Sequence, residues 1–117
     1  MTYMLLIVEK PGDRAEAGRE LGEERYQRMV EFAGGLKARG LLTAVESLKA
    51  TDEAVRLSGR DGQSTALDGP FAEAKEMVGG FFLLDCNDRE TALAIARECP
   101  ATEWATVELR ETGPCFL

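Results

Sequence analysis

Asp68-Gly-Pro-Phe-Ala-Glu-Ala-Lys-Glu-Met-Val-Gly-Gly80 runs directly into Phe81-Phe-Leu-Leu84, and this join decides how the chain must fold. The first half is a corner. Gly69 precedes Pro70, which pushes it out of the right-handed helical region toward extended or glycine-only dihedrals. Pro70 fixes its own φ and offers no backbone N–H. The Asp68 carboxylate can accept from the amides that follow, in an Asx-type turn. Gly69, Pro70 and Phe71 therefore read as a structural turn that aims Phe71 at the core. The second half is a strand that is apolar at every position rather than at alternate ones, so both of its faces need cover. Tyr3–Val8 has the same character.

Working toward the carboxyl end, Asn87 and Glu90 stand at capping-box spacing and open a helix. Its buried stripe is Ala92, Ile95, Ala96 and Cys99, and Pro100 stops it. Glu103–Arg110 reads as a last strand, with Val107 and Leu109 facing inward and Glu108 and Arg110 outward as a solvated pair. Gly113–Leu117 is a tail.

Working toward the amino end, Gln63–Leu67 and Ala54–Ser58 flank the turn Gly59-Arg-Asp-Gly62 and read as a hairpin. Val55 and Leu57 share one face of it. Leu41–Thr51 is a mixed connection with a short extended piece around Thr43–Leu48. From about Glu20 to Arg39, the residues Tyr26, Met29, Val30, Ala33 and Leu36 recur at helical steps. Acids at the start of this helix, bases at its end and Gly40 as a cap suit its polarity. Gly34-Gly35 inside it costs about 1 kcal/mol per glycine relative to alanine. Close approach of another backbone or a local break would explain the pair equally well. Glu9–Asp13 is a turn, and Arg14–Gly18 a surface loop or a frayed helix start.

The order strand, helix, hairpin, strand, helix, strand is that of an α+β ferredoxin-like βαββαβ unit, with the Gln63–Leu67 arm as an addition. In this topology Tyr3–Val8 and Phe81–Leu84 are the central strands, while the alternating strands Ala54–Ser58 and Glu103–Arg110 are edges. Right-handed crossovers put both helices on one side of the sheet. The other side keeps either Phe81 or Phe82 among its apolar side chains, and a patch of several hundred Å² is abnormal for a monomer. A second copy stacked sheet to sheet is the expected cover.

The chain has 117 residues, 44% apolar and 30% charged, which describes one ordinary globular domain. No apolar run approaches the ~20 residues that span a bilayer. The opening residues lack the pattern of a secretion signal, so the cytoplasm is the expected location. A net charge of −7 argues against direct binding to nucleic acid or to an anionic membrane, and suits a basic protein partner. The chain has three cysteines at spacings that match no zinc or redox motif, and it has no histidine. Neither a metal nor a cofactor is expected, and the cysteines read as small buried residues or a tail thiol.

The motif Asp68-Gly-Pro-Phe-Ala-Glu-Ala-Lys-Glu76 resembles the signature of the DGPF group of the YCII-related family. The resemblance extends through Met4-Leu-Leu-Ile7, Gly79-Gly-Phe-Phe82 and Val107-Glu-Leu-Arg110, nearly the whole chain. It implies a ferredoxin-like unit that pairs into a dimeric α/β barrel. It also implies, as context, a regulatory association with sigma factors, beside which such proteins often occur. Ala74 stands where the family usually has Thr, and the His–Asp pair suspected of catalysis in some branches has no histidine to supply it here.

Asp68, Glu73, Lys75 and Glu76 are the candidate ligand-binding residues, because they could converge on a dimer cleft. Extended backbone puts Glu73 and Lys75 on one face; a helical turn brings Glu73 and Glu76 together instead. Read as function, the cluster grips a small polar ligand, or Glu73 or Asp68 serves as general base in a cofactor-free enzyme with Lys75 as electrostatic stabiliser. Read as structure, it is a turn with a salt bridge between subunits. No serine- or cysteine-nucleophile motif and no phosphate loop is present.

Overall fold

The computed structural model describes residues 2–117. Its main sheet has four strands in the order β2 (Leu42–Ser47), β5 (Met77–Leu84), β1 (Tyr3–Glu9) and β6 (Thr106–Glu111), each antiparallel to its neighbours. Two helices, α2 (Arg19–Ala38) and α3 (Arg89–Glu98), make the crossovers, so the body is the ferredoxin-like unit. A five-residue helix, α1 (Asp13–Ala17), precedes α2. The strands β3 (Val55–Arg60) and β4 (Gln63–Asp68) pair only with each other, as a separate two-stranded ribbon.

The edge strand beside β5 is therefore Leu42–Ser47, and the whole Ala54–Leu67 hairpin is the addition. The reason is local. The β2–β5 register slips between Leu42 and Ala44, so the half-buried Leu42 and Val45 are three residues apart. A bulged residue breaks the period of two that marks a strand in sequence. The hairpin alternates because its own cross-strand pairs alternate, yet every one of its residues is exposed.

Both central strands divide their side chains as their composition requires. Tyr3, Leu5 and Ile7 of β1 and Phe82 and Leu84 of β5 point into the core with Leu36, Ala92, Ile95, Ala96, Cys99 and Ala101. The Phe32 ring meets Phe82 edge-on at 5.4 Å. Met4, Leu6, Val8, Phe81 and Leu83 lie on the opposite side of the sheet, aligned as Met4–Leu83 and Leu6–Phe81 across the strands. They are half-buried, and among the described residues both crossover helices pack on the other side of the sheet.

Helix ends follow simple chemistry. At the end of α2 the Leu41 N–H donates to the Leu36 carbonyl (2.9 Å) and the Gly40 N–H to the Lys37 carbonyl (3.0 Å), with Gly40 at φ 72°. This is the Schellman arrangement that only a residue free to adopt positive φ closes cheaply. The cap of α3 is Asp88 rather than Asn87. Its carboxylate accepts from the Thr91 hydroxyl (2.8 Å) and the Glu90 N–H (3.3 Å), and both hold it below the usual carboxylate range. The Gly34-Gly35 pair has no neighbour within 4 Å of where a Cβ would sit, so close backbone approach does not account for it.

The molecule measures 46 × 40 × 19 Å, thin in one direction because it has only two layers. Its radius of gyration is 16.0 Å, against about 13.4 Å for a compact chain of this length. The three thiols differ accordingly. Burial pushes those of Cys99 and Cys86 up, and Cys99 is sealed in the core, while Cys115 is exposed in the tail. Titration with a disulfide reagent at neutral pH is expected to modify Cys115 at once and Cys99 only at the rate of unfolding. Fast reaction of all three thiols would contradict this core.

Candidate ligand-binding cleft

The amino-terminal half of α2 stands off the sheet. Leu36, near the carboxyl end, is the one fully buried residue of this 20-residue helix, whereas Leu21, Tyr26 and Val30 are 39%, 58% and 44% exposed. The gap follows from small side chains on both sides. Ala15, Ala17, Gly18 and Gly22 line it from above, Gly79 and Gly80 from below. Between them lies a cleft of about 1010 Å³, whose walls include Ile7, Met29, Val30, Ala33, Val45 and Phe82. Tyr26 and Trp104 stand along it, and α1 crosses one end.

Glycine is required on the floor. The β1–β5 register slips at Ile7/Val8, leaving Gly79 as a bulged residue between the Ile7–Gly80 and Val8–Val78 pairs. A Cβ on Gly79 would sit 2.1 Å from the Glu9 carboxylate and 2.8 Å from the Arg14 guanidinium. A Cβ on Gly80 would lie 2.7 Å from the Glu46 carbonyl oxygen of β2. Arg14 uses the space so cleared. Its Nε donates to Glu9 Oε1 (2.6 Å), its Nη1 to the Leu48 carbonyl (2.8 Å) and its Nη2 to the Gly79 carbonyl (3.4 Å). One side chain thus ties α1 to the ends of β1, β2 and β5. The sequence reading of Arg14–Gly18, a surface loop or a frayed helix start, allowed the short helix but gave no sign of these contacts.

At the β6 side, the Arg25 and Arg28 guanidinium groups lie 5.1 and 5.3 Å from the Trp104 ring centre. Arg28 also donates to Glu103, through Nη1 at 3.1 Å and through a shorter Nη2 bond. That pairing raises the Arg28 pKa and lowers that of Glu103. Whatever the pair contributes to stability is present above the ordinary carboxylate range and lost as pH falls through the lowered Glu103 pKa. Both groups are exposed, so the contribution is small. Trp104 is half-buried beneath these two arginines.

The motif residues lie elsewhere. Asp68 ends β4 opposite Val55 and is exposed. Gly69 is forced: its N–H donates to the Ala54 carbonyl at 2.7 Å, and a Cβ would fall 1.9 Å from the Thr51 carbonyl oxygen. The Gly69–Pro70 peptide is cis. Phe71 is only half-buried and packs under the Arg56 guanidinium, 3.9 Å from its ring centre, instead of reaching the core. A turn closed by the Ala74 N–H on the Phe71 carbonyl follows (3.0 Å). Glu73, Lys75 and Glu76 are all exposed, and no ion pair among the described residues includes them. Asp68, Glu73 and Lys75 border neither cavity. Glu76 borders a smaller one of about 300 Å³ with Glu9, Lys10, Asp13 and Glu103. Glu108 and Arg110 are exposed and form no pair with each other among the described residues. Among the described residues, no three His, Cys, Asp or Glu side chains are grouped to hold a metal.

Comparison with known proteins agrees with this architecture. The YCII-related domain model matches residues 1–114, and the chain belongs to that family. An uncharacterised protein of Rhizobium meliloti (strain 1021) is 42% identical over 59 residues, covering 50% of this chain and 48% of that protein. The chain thus aligns with about half the length of this curated relative.

Two alanine substitutions separate floor from roof. Gly80→Ala forces β2 aside and should cost about 1–3 kcal/mol. Gly22→Ala, whose Cβ meets nothing within 4 Å, should stabilise by about 0.5–1 kcal/mol through helix propensity. Urea denaturation of the two variants beside the parent reads both effects, and equal costs would place Gly22 against a neighbour.

Proposed function

For this member of the YCII-related family, we propose that the protein acts as a homodimer binding a small organic molecule in the cleft between α2 and the sheet. One observation carries this reading. The cleft is formed within a single chain, has apolar walls and charged groups at its mouth, and is of the size that drug-sized ligands occupy, about 300–1,000 Å³. A ligand there has an apolar body and a polar end.

Surface area supports the homodimer. The single chain exposes 8514 Å², whereas a compact chain of 12.8 kDa exposes about 6,300 Å². The difference exceeds the roughly 800 Å² per partner of an ordinary stable interface. The uncovered side of the sheet and the arm account for it, since Val55, Leu57 and Leu67 of the arm are 53%, 73% and 60% exposed. Two copies stacked on this side give the dimeric α/β barrel of the DGPF group. Asp68, Glu73, Lys75 and Glu76, at the root of the arm, act in this reading where one copy meets the other, gripping a polar ligand group or each other's charges. A cytoplasmic address and a basic protein partner such as a sigma factor fit the charge of −7. The cofactor-free enzyme, with Glu73 or Asp68 as base and Lys75 as stabiliser, requires the second copy to bring those groups to the cleft. The ligand-binding reading needs no such step and ranks first.

Leu6→Glu places a charge at the centre of the uncovered side, between Phe81 and Glu108 of the neighbouring strands. Sedimentation equilibrium should give a dimer for the parent and a folded monomer for this variant. A monomeric parent at micromolar concentration would remove the dimer. Thermal unfolding across a panel of small organic molecules tests the cleft. A ligand at 100 times its Kd should add about 2.7 kcal/mol, and Gly22→Leu, which fills the cleft, should abolish the gain.

A further inference from the structure

The cleft lining holds four cations, Arg14, Arg19, Arg25 and Lys49, and three carboxylates, Glu9, Asp13 and Glu46. This is a local reversal in a chain of net charge −7. Most of these charges are already engaged. Every Arg14 nitrogen has an acceptor, Glu9 being its ionic partner. Arg19 pairs with Glu23 at 2.9 Å and Lys49 with Glu53 at 3.6 Å. Glu46 is paired across β5 with Phe81, so its side chain belongs to the uncovered side of the sheet and only its backbone meets the cleft. Asp13 opens α1 and borders the smaller cavity as well.

Arg25 is different. Among the described residues it forms no ion pair and donates no side-chain hydrogen bond. It is nonetheless held in place by its position over the Trp104 ring. Packing against an aromatic ring occupies the face of a guanidinium and leaves the N–H groups at its edge to donate. A planar fork of donors, set against an aromatic ring and lacking an acceptor among the described residues, matches a carboxylate held by two parallel hydrogen bonds. Arg28, on the same ring, has this partner already in Glu103, which shows what the neighbouring position accepts.

We propose that the cleft takes an organic acid, with its carboxylate on Arg25 beside Trp104 and its apolar body along Ile7, Val45, Met29 and Phe82. This inference rests on the reading of the cleft as the ligand site and adds the class of molecule. Gly80 leaves the floor flat beneath the body, and Gly22 leaves the roof open above it.

Octanoate, octanol and octylamine share one tail and differ in the charge of the head, so their affinities separate the two claims. Calorimetry on the full-length protein should rank octanoate about ten-fold or more above octanol, as a charge-assisted bidentate contact requires, with octylamine weakest. Fluorescence of Trp104, the single tryptophan, should respond to octanoate. Arg25→Gln should bring octanoate down to the level of octanol and leave octanol unchanged. Arg25→Lys, which keeps the charge but loses the fork, should retain part of the preference. Gly22→Leu should weaken octanoate and octanol together. Equal affinity for octanoate and octanol, preference for octylamine, or an acid preference that survives Arg25→Gln would overturn the organic-acid proposal while leaving the cleft as a site. Failure of all three probes to bind, or binding indifferent to Gly22→Leu, would overturn the cleft reading and this inference with it.

Discussion

A sheet with two doubly apolar central strands needs cover on both sides, and this chain has only enough helix for one. Leu5 and Leu84 are completely buried beneath α2 and α3, while Leu6 and Leu83, next to them in sequence, remain half-exposed on the other side. Alternation along a strand makes this division unavoidable, because successive side chains must leave by opposite faces. The 19 Å thickness, the large radius of gyration and the surplus surface area all follow from it. Even the arm belongs to the same account. A two-stranded ribbon with no buried residue contributes no core to its own chain, and an isolated hairpin is marginal in water.

The cleft arises from a second shortage, that of side-chain volume. A 20-residue helix spans about 30 Å, longer than the sheet needs for a crossover. Its carboxyl-terminal half packs through Phe32, Ala33 and Leu36, while its amino-terminal half brings Gly22, beside Ala15 and Ala17 of α1, toward two glycines of β5. Close-packed interiors normally close such gaps. Here Arg14 holds α1 to the strand ends through acceptors on three residues, Glu9, Leu48 and Gly79, which props the end of the cleft instead of letting it collapse. Gly79 makes this possible, since any side chain there would displace the Glu9–Arg14 pair.

The fold was legible where burial and periodicity agree, and obscure where a bulge intervenes. Tyr3–Val8 and Phe81–Leu84 announce two central strands because six and four consecutive apolar residues put apolar side chains on both faces, which edge strands rarely do. The stripe of α3 and the Gly40 cap follow similarly from spacing and from φ. Leu42–Ser47 showed only as a short extended piece around Thr43–Leu48, because its bulge shifts the second inward residue by one position, and the wet hairpin, with its cleaner alternation, took its place as edge strand in the reading. The Phe71 ring was aimed at the core by the corner that precedes it, yet Arg56 lies close enough in the ribbon to claim it. The cleft was harder still. It is defined by what Gly22, Gly79 and Gly80 lack, and sequence does not say whether a missing side chain leaves room for a neighbour or for a ligand. Arg25 looks like one more surface charge until Trp104 is placed against it, and those residues are 79 positions apart.

The same two strands serve both surfaces, and the pleat keeps them independent. Ile7 and Gly80 form part of the cleft, while the side chains of Leu6 and Phe81, their neighbours along the chain, face the uncovered side. A group on one side cannot touch what occupies the other, since the sheet stands between them. Two copies paired as proposed, through the uncovered side, would therefore leave both clefts facing outward, each beneath its own α2. The motif charges at the root of the arm are set apart from the cleft in the single chain. The motif and the cleft are thus separate features of one chain, the motif charges at the root of the arm and the cleft beneath α2.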